Sequence, residues 1–327
     1  MRGSLSAILL AMTLLPTWAL SQSGNSGYPA ILPLKARLRQ AEGYQRRKRQ
    51  TPNISEPLRT GVSASGNVEI EGLISRDAVA VAGLQVQDFQ FGLITNQSAA
   101  FGVDPFDGIV GMGFPSGLTT GSQTFLNALH SSGQISRAIY GLYPYLTPQS
   151  VGHAEISLGG VDSSKLTSEI NYIPVFPATD QFNGTFEKVR VDNRTTNVSS
   201  NFVNYDSGTA NIVAPKNDAE AIYAMISPDI RPIDAVGTYG IPCSKLKDIK
   251  SSISFIIEGH NYTIPSQELN VGPIPDQPGI CQTLINSTGG DQAKSLWVIG
   301  GSLLKDYYTV WDIENARFGL AQTLHSP

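Results

Sequence analysis

The sequence predicts a mostly β protein large enough to form two lobes, and three observations carry that prediction. Apolar residues fill 41% of the 327 positions, and 32 glycines and 20 prolines break them into short runs. Alternating apolar positions recur between Val68 and Leu93, at Val79 and Val81 and again at Val86, Phe89 and Phe91, which is the period of half-buried strands. Helical spacing is confined to a few segments. Many short strands, many turns and few helices describe a turn-rich β globule.

The elements follow in order. Residues 1–21 carry Arg2, an apolar run from Leu5 to Leu15 and a small-x-small end at Ala19-Leu20-Ser21, the pattern of a secretory signal peptide. That run is too short to cross a bilayer, and no hydrophobic C-terminal tail signals a lipid anchor. The predicted destination is extracellular, or the vacuole or another acidic lumen. Residues 22–50 hold Lys35, Arg37, Arg39 and Arg46 to Arg49 against Glu42 alone, a net charge of +6 ending in a tetrabasic processing site. Removing Arg2 and these seven from the 23 basic residues leaves 15, and removing Glu42 from the 27 acidic ones leaves 26, so the remainder is about −11. A basic pro-segment on an acidic body is an electrostatic clamp that weakens as carboxylates protonate. The mature chain has no basic patch, which argues against a nucleic-acid partner.

Further on, Ser122 to Ser132, with Phe125, Leu126 and Leu129 on one face and Gly133 as a stop, predicts a short helix. Ala138 to Tyr143, Ala154 to Leu158 and Ile170 to Val175 read as strands. Ala219, Ile222, Tyr223 and Ile226 recur at helical spacing, with Pro228 ending the run. Strands Ile253 to Glu258 and Asn261 to Ile264 flank a Gly259-His260 turn.

The chemistry concentrates in Phe202 to Pro215. Two short apolar strands, Phe202 to Tyr205 and Ala210 to Ala214, flank the turn Asp206-Ser207-Gly208-Thr209. A strand pair with a polar tip holds one carboxylate rigidly on a loop. Gly208, lacking a Cβ, lets its N–H approach Asp206, and the hydroxyls of Ser207 and Thr209 can brace the turn; such donors lower a carboxylate's pKa. Taken alone, the four letters also read as an ordinary hairpin turn.

Asp-Ser-Gly-Thr between apolar strands resembles the active-site loop of the pepsin-like aspartic proteases (peptidase family A1, of secreted fungal type). Phe106 to Gly113 resembles the family's first-lobe signature. Leu296 to Gly301, Leu303 to Tyr308, Thr309 to Asp312 and Arg317 to Ala321 resemble its C-terminal signature. Cys243 and Cys281 stand where the family's second-lobe disulfide is expected, and these four ordered matches over roughly residues 60 to 322 are far more specific than one short motif. The resemblance implies a mostly β, bilobal acid protease fold with an incomplete N-terminal lobe over 51–174, a boundary near Pro174, and a C-terminal lobe over 175–327.

It also implies Asp206 as catalytic, Ser207, Gly208 and Thr209 as its support, a disulfide between Cys243 and Cys281, and polypeptide substrates cleaved at acid pH by a monomer whose own propeptide is a partner. Ser65, beside Gly66, stands where the family's flap tyrosine is expected. The half-pattern Ile109-Val110-Gly111 mirrors Val298-Ile299-Gly300, yet no second Asp-Ser/Thr-Gly occurs. An abrupt passage from processing site to flap is what a lost exon or internal deletion leaves. The alternatives are therefore an endopeptidase represented by a chain missing one active-site segment, a non-catalytic peptide-binding relative, and an enzyme restored when two Asp206 loops meet across a two-fold axis. The last is disfavoured because the second lobe already docks on a first lobe in the same chain.

Two cysteines in a secreted chain pair rather than react. The four histidines are scattered, so no metal is expected, and no cofactor either. Seven Asn-x-Ser/Thr sequons, at Asn53, Asn96, Asn183, Asn193, Asn197, Asn261 and Asn286, predict surface glycosylation.

Overall fold

The computed structural model describes residues 56–60, 70–97, 109–115, 123–145, 153–177, 181–235, 237–274, 277–288, 296–324 and 326. Residues 1–50, Asn53, Ser65, Gly66 and Phe106 to Gly108 lie outside them. Within them the protein is mostly β, organised in five sheets. No helix is long and apolar enough to cross a membrane among the described residues.

The alternation around Val79 to Phe91 becomes one long antiparallel hairpin, Ile70–Val81 with Leu84–Gln97, to which Glu56–Thr60 adds a third strand. The predicted helix forms as Phe125–Ser131, capped by Thr124, whose hydroxyl accepts from the Asn127 N–H. Phe125, Leu126 and Leu129 are buried, and Phe125 meets Phe89 edge-on at 5.6 Å. The hairpin is thereby fixed to the rest of the molecule.

A second sheet crosses the expected lobe boundary. Its order is His153–Leu158, Ile139–Tyr145, Tyr308–Asp312, Arg317–Ala321, Asn171–Pro174, all antiparallel. Strands from the end of the chain sit between strands that precede Pro174, so the two parts share a hydrogen-bonded layer. Trp311, fully buried in it, touches Tyr140, Phe182 and Phe318 at 5.8, 4.9 and 4.7 Å. Asp312, also fully buried, is held by Asn315 and by Arg317 at 2.8 Å. Burial pushes its carboxyl up, but these hydrogen bonds and the Arg317 charge outweigh that and leave it below the ordinary value.

Two four-stranded sheets complete the C-terminal part. In one, Ile253–Ile257 pairs with His260–Ile264 through a turn at Glu258 and Gly259, one residue earlier than the expected Gly259-His260, and both turn residues have positive φ, 49° and 76°. That is the backbone a two-residue hairpin requires. In the other, Tyr239–Pro242 lies beside Gln277–Thr283, and the Cys243–Cys281 disulfide closes across them. The predicted helix forms as Lys216–Ile226 with Ala219, Ile222 and Tyr223 buried. Its buried Asp218 accepts from the Ser199 N–H and from Trp297 Nε1, tying the helix to the sheet that carries the site.

Candidate functional site

The fifth sheet runs Ile285–Ser287, Ile212–Ala214, Leu296–Ile299, Phe202–Tyr205, Phe182–Thr185. It corrects the hairpin expectation. The strands flanking Asp206 do not pair with each other, because Leu296–Ile299 lies between them, parallel to Phe202–Tyr205 and antiparallel to Ile212–Ala214. The loop therefore wraps the end of an inserted strand. The Asp206 N–H donates to the Ile299 carbonyl at 3.0 Å, and beyond the strand Gly301 N–H donates to Thr209 O and Ser302 N–H to Ala210 O at 2.6 and 2.8 Å. Ser302 Oγ adds a bond to Ala210 O at 3.0 Å. Gly300 is where the loop closes on the strand: a Cβ there would stand 2.2 Å from Thr209 O and 2.3 Å from Asn211 O. Only glycine fits.

Asp206 is 4% exposed. Gly208 N–H donates to one carboxylate oxygen at 2.9 Å and the Thr209 hydroxyl to the other at 2.6 Å. Gly208 has no positive φ; the tight turn alone, with Thr209 N–H on Asp206 O at 3.2 Å, brings its amide inward. Thr209, not Ser207, supplies the hydroxyl bond. These donors act in the expected direction on the pKa, but burial is the larger effect, and it lifts the Asp206 carboxyl to about 6. The expected lowering is thus overturned by desolvation. Among the described residues, no second carboxylate acts on Asp206. Tyr140, 1% exposed, has its hydroxyl pushed well up by burial and then by the Asp206 charge, so it stays protonated.

The mirrored segment is placed differently. Ile109 is 51% exposed, and a Cβ on Gly111 would meet no atom within 4 Å among the described residues. Met112 and Phe114 just beyond are buried, Phe114 against Phe182 at 4.6 Å. The first half of the pattern is anchored downstream, with nothing described seated on its glycine.

The remaining predicted residues are dispersed. Asn193, Asn197 and Asn261 are exposed and Asn286 half-buried, while Asn96 falls within Leu84–Gln97. Asn183 departs from expectation: it lies in a strand of the site sheet, paired with Asn204 and 7% exposed, so a glycan has no room there. Among the described residues no three His, Cys, Asp or Glu side chains gather as a metal site. Sequence reasoning passed over Ser302, Tyr140 and Asn204. Only Asn204 left a local signal, as the one amide in an otherwise apolar strand.

The profile of the family described as eukaryotic aspartyl protease matches residues 55–323. An aspartic protease of Phaffia rhodozyma is 27% identical over 284 residues, covering 85% of this chain and 65% of that protein. Cathepsin E-B of Xenopus laevis is 27% identical over 270 residues, covering 80% and 64%. A probable aspartic-type endopeptidase CTSD of Arthroderma otae is 29% identical over 258 residues, covering 79% and 66%. The chain thus spans just under two thirds of the length of these relatives. A carboxylate on a loop wrapped around an inserted strand, in a chain matched by that profile over most of its length, places this protein in the eukaryotic aspartyl protease family.

Proposed function

We propose that this protein is an aspartic endopeptidase polypeptide in which Asp206 holds one half of the catalytic apparatus. The observation that carries the reading is the finished Asp206 loop: a buried carboxylate with one backbone and one hydroxyl donor, locked to Ile299 and Gly301. In the proposed reaction a water lies between two carboxylates that share one proton. One takes a proton from the water as it attacks the scissile carbonyl while the other gives its proton to the carbonyl oxygen; the first then passes the proton it took to the leaving amine as the second takes one back from a hydroxyl of the tetrahedral intermediate. Asp206, lifted toward neutrality by burial, supplies one of these groups. With a single carboxylate the division into acid and base is lost, so the chain as it stands turns over very slowly. The substrates are polypeptides cleaved at acid pH, and the protein acts as a monomer.

The same reading takes residues 1–21 as a signal peptide, 22–50 as a basic propeptide, and 51–174 and 175–327 as the two lobes. Ser207, Ser65 and Gly66 remain candidate support and flap residues. Exposed Asn193, Asn197 and Asn261 are the favoured glycan sites. The protein is secreted, or delivered to a vacuole or other acidic lumen.

A second reading, a peptide-binding protein without catalysis, is favoured by the exposure of Ile109 and by a Gly111 that no described residue packs against. One experiment separates the two. A first-lobe segment bearing Phe/Leu-Asp-Thr/Ser-Gly is inserted between Arg49 and Gly61, and cleavage of a denatured protein is followed at about pH 3 to 5. The endopeptidase reading expects acid activity from the restored chain, inhibition by a statine-type peptide whose hydroxyl mimics the tetrahedral intermediate, and loss with Asp206→Asn. Activity in the unmodified chain that survives Asp206→Asn refutes the aspartic mechanism. Activity rising with the square of chain concentration points instead to a dimer.

A further inference from the structure

Asn204 stands two residues before Asp206 on the same strand. Residues i and i+2 of a strand project from one face, and the Asp206 N–H bond to Ile299 O carries the ladder, and so the alternation, up to the loop. Val203 and Tyr205 take the opposite face and are fully packed, Tyr205 stacking on Phe318 at 4.5 Å. The face carrying Asp206 therefore presents Asn204, with Val298 beside it on one neighbouring strand and Asn183 on the other.

Asn204 is 6% exposed, and its side-chain oxygen has no hydrogen-bond partner among the described residues. Leaving a buried amide oxygen unpaired is costly, and valine at this site would avoid the cost. Neither the ladder nor the carboxylate uses the group: the strand's backbone is paired on both sides, and the Asp206 oxygens already hold Gly208 and Thr209. A polar atom that serves neither the fold nor the catalytic carboxylate, on the face and strand that present that carboxylate, is placed to meet a ligand.

We propose that Asn204 is a specificity-determining residue, forming with neighbouring Asn183 a polar subsite beside Asp206 that selects peptides with a neutral hydrogen-bonding side chain, such as Gln, close to the bond presented to Asp206. The proposal rests on the endopeptidase reading for the kind of ligand, an extended peptide. Alternate residues of a strand are roughly 7 Å apart, so the selected side chain lies within two residues of that bond. Val298 and Val213 continue the face on the far side, so the stem of a Gln side chain packs on apolar surface while its amide N–H₂ donates to Asn204 Oδ1.

The test uses the full chain as it exists and reads binding, not turnover. Two statine-type peptides are compared by calorimetric titration at about pH 5, one with Gln and one with near-isosteric Met at the positions within two residues of the statine. One hydrogen bond supplied to an otherwise unpaired oxygen gives an expected preference of about tenfold for the Gln peptide. Asn204→Val should abolish that preference while binding the Met peptide at least as tightly, and Asn204→Ser, which keeps an acceptor, should retain part of it. If Asn204→Val does not fold, the wild-type ratio and its reduction in Asn204→Ser decide. Equal binding of both peptides, as expected of a site that holds only a bridging water, overturns the proposal. So does binding of neither, or a preference that persists in Asn204→Val. Gln preference without acid proteolysis in the restored chain would refute the endopeptidase reading alone; acid proteolysis without Gln preference would refute the subsite alone.

Discussion

Replacing Asp206 by Asn should make the folded protein more stable at neutral pH and leave it nearly unchanged in acid. The carboxyl titrates at about 6 in the folded chain against 3.8 for the free group, because burial disfavours its charge more than Gly208 and Thr209 favour it. The folded state therefore binds the extra proton between these values. Stability is greatest below the unfolded pKa and falls as pH rises through the folded one. A gap of roughly two units at 1.36 kcal/mol each amounts to about 3 kcal/mol of destabilisation, complete by about pH 8 and absent at about pH 3. Asn keeps an oxygen for the Gly208 N–H, and the Thr209 hydroxyl can rotate to accept from the new amide, so the charge is the main thing removed. Asp306, raised by burial in spite of Lys305, and Asp312, depressed, titrate alike in both proteins and cancel in the difference. Urea unfolding of the full chain at both pH values gives that difference directly, provided the slope is unchanged. A stabilisation equal at the two pH values, or a variant less stable at about pH 8, would refute the claim that burial raises the Asp206 carboxyl.

Three further outcomes are expected. Asp312→Asn should cost about 1 to 3 kcal/mol above about pH 5, by loss of the charged acceptor for Arg317 and Asn315, and progressively less as the wild-type carboxyl protonates in acid; denaturant titration across pH reads both. Replacing Cys243 and Cys281 together by Ser should lower stability by at most ~4 kcal/mol, the loop-closure entropy for their sequence separation of 38, and the intact protein should release linked fragments around them on non-reducing peptide mapping. Gly300→Ala should abolish the fold of the Asp206 loop, since the clashing atoms are backbone carbonyls, whereas Gly111→Ala should be neutral; near-ultraviolet dichroism and thermal melting compare the two.

What could be read along the chain was whatever local period or turn chemistry decides. The strand at Phe202–Tyr205, the helix face of Ala219, Ile222 and Tyr223, and the turn around Gly259, found one residue earlier than expected, all depend on residues a few positions apart. The insertion of Leu296–Ile299 between the arms of the Asp206 loop joins residues about 90 apart, and no window of sequence carries that pairing without the family resemblance. Asn183 failed as a surface sequon for the same reason: its tripeptide is local, but its burial comes from Phe202–Tyr205 alongside. The direction of the Asp206 shift was misjudged because the donors are encoded beside it while the enclosing apolar walls are not.

The two apolar-apolar-Gly segments give the proposed second loop a physical outline. At Val298-Ile299-Gly300 the absence of a Cβ is required, because Thr209 O and Asn211 O occupy its place, and Ile299 is fully buried. At Ile109-Val110-Gly111 the same residue pattern has no such contact among the described residues: none of them stands where a Cβ on the glycine would be, and its isoleucine is half exposed. A glycine that no described neighbour requires has no packing reason at this position, and an isoleucine half in solvent forgoes about half of what burial would give. Neither choice benefits the described fold. Both become favourable once a second loop is laid over Gly111 as the Asp206 loop is laid over Gly300, its carbonyls filling the space a Cβ would take and its strands covering Ile109. The segment that would complete the acid–base pair is also the one that would remove this local conflict, so restoring it should raise the stability of the first part of the chain along with the activity of the whole.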